Sequence, residues 1–217
     1  MKIDKGDFGY IKRQKLVRLL KTLAFFLLPV ALLIVGLVFN HGDRKNIYTV
    51  IAMVGCIPAC MSAVSMIMMW MQKPMRRELY QEISPHAQGL TMAYELCLTT
   101  QEKNLFLDAV AIHGESILAY TDRETSQKNL EVMEDHIRRT LRVENYKVTV
   151  KILDPGRRKA FLDRLDTWKK QTEGRKDAKA DKKNAGVNQK DAGVDREETA
   201  INNEEVAIRE ILLAISL

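Results

Sequence analysis

Residues able to do chemistry are few in this chain, and several sit where chemistry is hard to run. Cys56 and Cys60 lie one helical turn apart, with Met53, Met61, Met66, Met68, Met69 and Met71 around them. Soft thiol and thioether ligands suit Cu(I). The same stretch has no His, Asp or Glu, and its methionines point in several directions, so these sulfurs read as packing groups of an apolar helix. His113, Glu115, Glu134, Asp135 and His136 make no metal-ligand spacing: His113-x-Glu115 falls in a turn, no Cys-x-x-Cys follows, and His136 belongs to an amphipathic helix. Cys97 is the third cysteine, and three do not make a disulfide framework. There is no Gly-rich phosphate loop, no G-x-S-x-G and no H-E-x-x-H. The expectation is no catalytic set, no cofactor and no metal: not an enzyme.

One carboxylate stands apart. Asp108 interrupts residues 105–112, which are otherwise apolar on both faces, as a central strand would be. With the following strand, Ile117-Leu118-Ala119-Tyr120-Thr121, this resembles restriction-endonuclease-like cores. The resemblance implies a second acid and a Lys about two residues apart, to hold Mg²⁺ and activate water. The second strand has neither, and Asp122 and Arg123 come just after it. Asp108 is therefore expected to be structural, hydrogen-bonded at a strand edge or turn. A membrane-tethered, inactive nuclease-like domain remains an alternative.

What positions everything is a pair of apolar runs, residues 22–39 and 47–71, neither with a charge, separated by residues 40–46. About 18 apolar residues suffice to cross the roughly 30 Å hydrocarbon core as a helix. The first run holds thirteen Leu, Ile, Val and Phe residues, which favour insertion by about 4–8 kcal/mol. It follows a basic lead, residues 1–21, far longer than that of a signal peptide, and ends Val38-Phe39-Asn40-His41 with no A-x-A-like cleavage site. A retained transmembrane hairpin is predicted. Lys2, Lys5, Lys12, Arg13, Lys15, Arg18 and Lys21 precede it and Lys73, Arg76 and Arg77 follow it, against Arg44 and Lys45 in the loop. The positive-inside rule then puts both termini in the cytoplasm and the loop outside the cell membrane.

Inside the hairpin, Gly55, Ala59 and Ala63 recur every four residues. Small residues at that spacing let helices approach closely, within the hairpin or between two copies. Pro29 and Pro58 each lie about ten residues from the loop, a distance at which kinks would fall at similar depth.

After a connector, residues 72–88, with a helical turn or two near 77–82, the pattern turns to that of a small α+β domain over residues 89–170 in the order β-β-β-α-β-α. Leu90, Met92, Tyr94, Leu96 and Leu98 alternate, as in a strand with one buried face. Residues 105–112 and 116–121 complete an antiparallel meander around the turn His113-Gly114-Glu115. Leu130, Met133, Ile137 and Leu141 have helical spacing within 126–142. Residues 146–152 return to alternation, and Asp154-Pro155-Gly156 opens a helix burying Phe161, Leu165 and Trp168.

Residues 171–200 are rich in Lys, Asp, Gly and Asn and read as a disordered linker. The chain closes on an amphipathic helix, residues 201–217, with Asn203 as its cap and a stripe of Ile208, Ile211, Leu212 and Ile215. Such a helix docks on this domain, a second copy or another protein. The net charge of +6 sits mainly in the lead and in residues 157–183, where anionic lipid of the inner leaflet gives about 1 kcal/mol per basic side chain. Nucleic acid is not required as a partner.

The segments Gly6-Asp7-Phe8-Gly9-Tyr10-Ile11, Ala52-Met53-Val54-Gly55-Cys56-Ile57-Pro58-Ala59-Cys60, Met68-Met69-Trp70-Met71 and Met92-Ala93-Tyr94-Glu95-Leu96 together resemble uncharacterised two-span, helical-hairpin membrane proteins of Gram-positive anaerobic bacteria, over residues 2–165. The resemblance implies the hairpin and the cytoplasmic domain and carries no activity over. The expected function is a membrane-anchored binding or assembly domain; the alternative is an oligomeric transporter or channel subunit built from the hairpin.

Overall fold

The structure is a computed structural model that describes residues 4–39, 47–99, 104–184 and 191–216. It divides into two compact units, one of Gly9–Pro74 and one that joins Met1–Phe8 to Met75–Leu217. The chain therefore leaves the larger unit after Phe8 and returns to it at Met75.

The Gly9–Pro74 unit is a pair of helices, α1 (Tyr10–Phe39) and α2 (Ile47–Met71). At 1.5 Å per residue they are about 45 and 38 Å long. The basic half of the lead, from Tyr10 on, is not a separate segment but the first three turns of α1. No Gly or Pro interrupts residues 10–28, so nothing stops the helix there. Within the pair, Tyr10–Gly36 and Val50–Met71 are long and apolar enough to cross a membrane. Only 17% and 11% of their apolar windows are buried, whereas a core helix of a soluble protein is buried over most of its length. Leu27, Val38 and Met61 are each at least 70% exposed.

The two helices run antiparallel, and their contacts form a ladder. Lys15 Nζ donates to the Trp70 carbonyl at 3.0 Å, Arg18 Nη1 to the Ser65 carbonyl and hydroxyl at 3.1 and 3.0 Å, and the Thr22 and Ser62 hydroxyls lie 2.9 Å apart. Two basic side chains of α1 thus satisfy carbonyls of the last turns of α2, where the helix dipole favours cations. Further along, a β-carbon at Gly55 would stand 3.6 Å from that of Pro29. Ala59 is fully buried and Ala52 nearly so. Gly55 and Ala59 therefore lie in the seam between α1 and α2, while Ala63 is half-buried. Pro29 is buried in that seam and Pro58 is exposed, so the two prolines have different surroundings.

The larger unit holds α3 (Arg77–Ile83), β1 (Thr91–Thr99), β2 (Asn104–His113), β3 (Ser116–Tyr120), α4 (Gln127–Val143), β4 (Thr149–Leu153), α5 (Arg158–Asn184) and α6 (Asp191–Ile215). The sheet order is β1-β2-β3-β4, antiparallel across the first three strands and parallel between β3 and β4. The crossover that makes the last pair parallel is α4. The β-β-β-α-β-α order expected from the sequence is the order observed. Each face of the sheet has a helical layer. Leu130, Met133, Ile137 and Leu141 of α4 and Ile208 and Leu212 of α6 pack on one side. Leu79 and Ile83 of α3 and Phe161, Leu165 and Trp168 of α5 pack on the other.

The expected single buried face of β1 does not hold. Met92 and Tyr94 pack with the α3–α5 layer, while Ala93, Leu96 and Leu98 pack with the α4–α6 layer. The cause is Glu95, whose φ of +56° reverses the parity of the strand. β2 shifts at the same level: Leu105 and Leu107 share the α4–α6 side with Val110 and Ile112, while Ala109 and Ala111 face α5.

The tail also differs from expectation. Helix α5 continues to Asn184 and α6 starts at Asp191, through sequence read as a linker. Lys, Ala, Glu and Arg make up half of residues 171–200, and they are strong helix formers. Asn203 is accordingly inside α6 and does not cap it. The hairpin loop at residues 40–46 lies outside the described residues.

Candidate functional site

The parity fault falls at two buried acidic residues in paired positions of β1 and β2. Tyr94 pairs with Ala109 and Leu96 with Leu107, which sets Glu95 opposite Asp108. Glu95 is 8% exposed and Asp108 6%. Buried carboxylates need hydrogen-bond donors, and each receives a backbone one. Glu95 Oε1 accepts the Met75 N–H at 3.1 Å, just where the chain re-enters this unit. Asp108 Oδ2 accepts the Asp122 N–H at 2.7 Å, at the end of β3.

Asp122 is the centre of a larger node. Arg76 forms an ion pair with its Oδ2. Arg158 Nη2 lies 3.0 Å from Oδ1, and the Tyr120 hydroxyl donates to the same oxygen at 3.3 Å. Arg158 Nε in turn donates to the Tyr120 hydroxyl at 3.2 Å, and its Nη1 pairs with Glu82 at 3.1 Å. One carboxylate therefore ties the start of α3, the end of β3 and the start of α5.

The electrostatics follow from this arrangement. Burial pushes the Asp108 carboxyl upward, against its bond to Asp122 N–H and the charge of Arg123. Burial also opposes ionisation of Asp122, but Arg76 and Arg158 outweigh it and hold that carboxyl below the ordinary range. The Tyr120 hydroxyl is pushed up by burial, and Arg158 is pushed up first by its bond to Tyr120. Arg123 stacks over the Phe106 ring at 3.9 Å, and its own burial lowers it. Beside it, burial raises the Cys97 thiol to about 11. The node is a set of charges answered by one another. Among the described residues, no three of the His, Cys, Asp and Glu side chains gather closely enough to hold a metal ion.

At the other end of β3 is an open cleft of about 480 Å³. The β2–β3 turn forms one wall, with His113, Glu115 and Ser116. Arg164, Trp168 and Gln171 of α5 form a second, and Ile201 and Glu204 of α6 a third. The His113 and Trp168 rings lie 5.4 Å apart. Beneath them Glu205, 9% exposed, accepts the Gly114 N–H at 2.7 Å and the Thr91 hydroxyl at 2.8 Å. Charged groups of both signs, Arg164, Glu115 and Glu204, line the cleft.

Residues singled out from the sequence are not all in one place. Asp108 is in the node and His113 and Glu115 are in the cleft. Glu134 accepts the Ile152 N–H at 2.7 Å, binding α4 to β4, and Asp135 pairs with Arg138 on the surface of α4. Cys56 and Cys60 are free thiols of α2. The stripe Ile208, Ile211, Leu212 and Ile215 packs on the chain's own core, with Ile208 and Leu212 buried. Sequence reasoning missed Arg76, Tyr120 and Arg158. Their only mark was a position beside Pro74 or Pro155, or at a strand end, where chain segments converge. Comparisons with known protein families, curated proteins and solved structures find no match for this chain.

Proposed function

We propose that this chain is a membrane-anchored protein whose helix pair crosses the cell membrane as a hairpin and displays a small α+β domain that works by binding. One observation carries the reading. Both ends of the apolar pair, at Phe8 and at Met75, join the same folded unit. A pair of crossing helices with that connectivity has both ends on one side of the bilayer. The exposed apolar side chains of α1 and α2 then have lipid as their partner. Lys12, Arg13, Lys21, Lys73 and Arg77 are exposed at those ends, which favours the cytoplasmic side and contact with anionic headgroups.

Binding is preferred to catalysis because the charged groups of the node are engaged with one another, while the cleft at the other end of β3 is open. A channel built by oligomerising the hairpin is less favoured, since Gly55 and Ala59 are spent on the α1–α2 seam. Alkaline carbonate extraction tests the anchoring. The full chain is expected to stay in the membrane pellet, and release into the supernatant would refute the proposal.

A further inference from the structure

The cleft at the end of β3 is built on a turn that is fixed from both sides. Gly114 and Glu115 are the two residues between β2 and β3. Gly114 has a φ of +55°, the left-handed backbone that a two-residue hairpin turn requires and glycine supplies. Glu205 of α6 accepts the Gly114 N–H at 2.7 Å, and the Thr149 N–H of β4 donates to the Glu115 carbonyl at 2.8 Å. The wall that carries Glu115 is therefore in place before any ligand arrives. Arg164 stands on the α5 wall, one turn before Trp168, and Glu204 on the α6 wall, next to the buried Glu205. Arg164, Glu115 and Glu204 are all exposed, and among the described residues none of the three side chains forms an ion pair or a hydrogen bond. The His113 and Trp168 rings, 5.4 Å apart, and Ile201 add apolar surface to the same cleft.

A lone surface charge is satisfied by water. Charges of both signs on different walls of one concavity do more, because they set up a field with a place for an anion at α5 and places for cations at the turn and at α6. A ligand is selected when it answers each fixed charge with an opposite one and covers the apolar surface with its body. One guanidinium and two carboxylates call for one negative and two positive groups on an aliphatic stem. A neutral zwitterion leaves one carboxylate unanswered, an acidic amino acid adds negative charge to a cleft that already has an excess of it, and a diamine offers nothing to Arg164. We propose that the cleft binds a free dibasic amino acid of the lysine class. Its carboxylate sits on Arg164, its two ammonium groups on Glu115 and Glu204, and its methylene chain over the His113 and Trp168 rings. This assignment rests on the reading of the domain as one that works by binding, and it names the chemistry of the ligand.

Titration calorimetry on the full chain in nanodiscs of zwitterionic lipid tests the assignment with three probes: lysine, cadaverine (lysine without its carboxylate) and glutamate. Lysine is expected to bind saturably with a Kd of about 1 mM or below. Cadaverine should bind about threefold to fivefold more weakly, the effect of one exposed charge pair, and glutamate not at all. Arg164→Gln is expected to bring lysine down to the affinity of cadaverine and to leave cadaverine unchanged. The double variant E115Q/E204Q is expected to weaken both. Absence of saturable heat with lysine would overturn the proposal, and so would equal binding of lysine and cadaverine to the parent, or equal loss of both in Arg164→Gln. Glutamate separates the assignment from the reading beneath it. Glutamate binding that Arg164→Gln abolishes, with lysine silent, would overturn the dibasic assignment and leave the cleft a binding site, whereas silence of all three probes would count against both.

Discussion

Glu95 and Asp108 oppose one another, both buried, at the level where β1 and β2 each change the face they present. Each caps a backbone N–H from a segment arriving at the sheet, Met75 for Glu95 and Asp122 for Asp108. The fault is thus where the connector and the end of β3 are fastened.

The first prediction concerns Asp108. Its folded carboxyl titrates above the ordinary value because of burial. Such a group favours the fold below the unfolded pKa of about 3.9 and loses that contribution as pH rises through the folded value. Asp108→Asn keeps an acceptor for the Asp122 N–H and removes the desolvated charge. It is expected to be more stable than the parent at pH 7 and equal to it near pH 3. Urea unfolding of the two proteins at both pH values measures this.

Asp122 has the opposite sign. Arg76 and Arg158 hold its carboxyl below the ordinary range, so its contribution is present above about pH 3.9 and is lost as pH falls further. Asp122→Asn is expected to cost about 1–2 kcal/mol at pH 7, the lower part of the range for bonds to charged groups, because Arg76 is 62% exposed on its side chain. The deficit should shrink towards zero in acid, which the same unfolding series reads.

Much of this domain was legible in the sequence. The helical spacing of Leu130, Met133, Ile137 and Leu141 predicted α4, and all four are buried. The double-sided apolarity of residues 105–112 predicted a central strand, and β2 is one. What period-two counting could not show was the reversal at Glu95, since a left-handed backbone at a non-glycine residue leaves no mark in an apolar pattern. The node escaped for a different reason: Arg76, Asp122 and Arg158 are 36 or more residues from one another, and only the tertiary fold brings them together. The helices of residues 171–200 escaped because low apolar content speaks against a packed core but not against a helix.

Leu212 tests whether α6 belongs to the core. It is 1% exposed, and Leu212→Ala is expected to cost about 2–5 kcal/mol. Val206, 46% exposed on the same helix, provides the contrast: Val206→Ala should change stability by about 0.5 kcal/mol or less. Equal, small effects from both would mean that α6 does not pack on the sheet.

Cys97 offers a probe of opening. It is buried and its thiol is raised to about 11, so only about one part in a few thousand is thiolate at pH 7.5. With Cys56 and Cys60 replaced by Ala, thiol labelling of the native protein should be far slower than that of the urea-unfolded chain. Labelling at the unfolded rate would contradict the burial of β1.

The central claim is that α1 and α2 cross the membrane with both ends inside the cell. Cysteine accessibility in intact cells addresses it most directly, using single cysteines at Gln88 and at His41 in a background free of native cysteine. An impermeant maleimide added outside is expected to label His41→Cys and to leave Gln88→Cys untouched until the membrane is opened. Labelling of Gln88→Cys in intact cells would contradict the account.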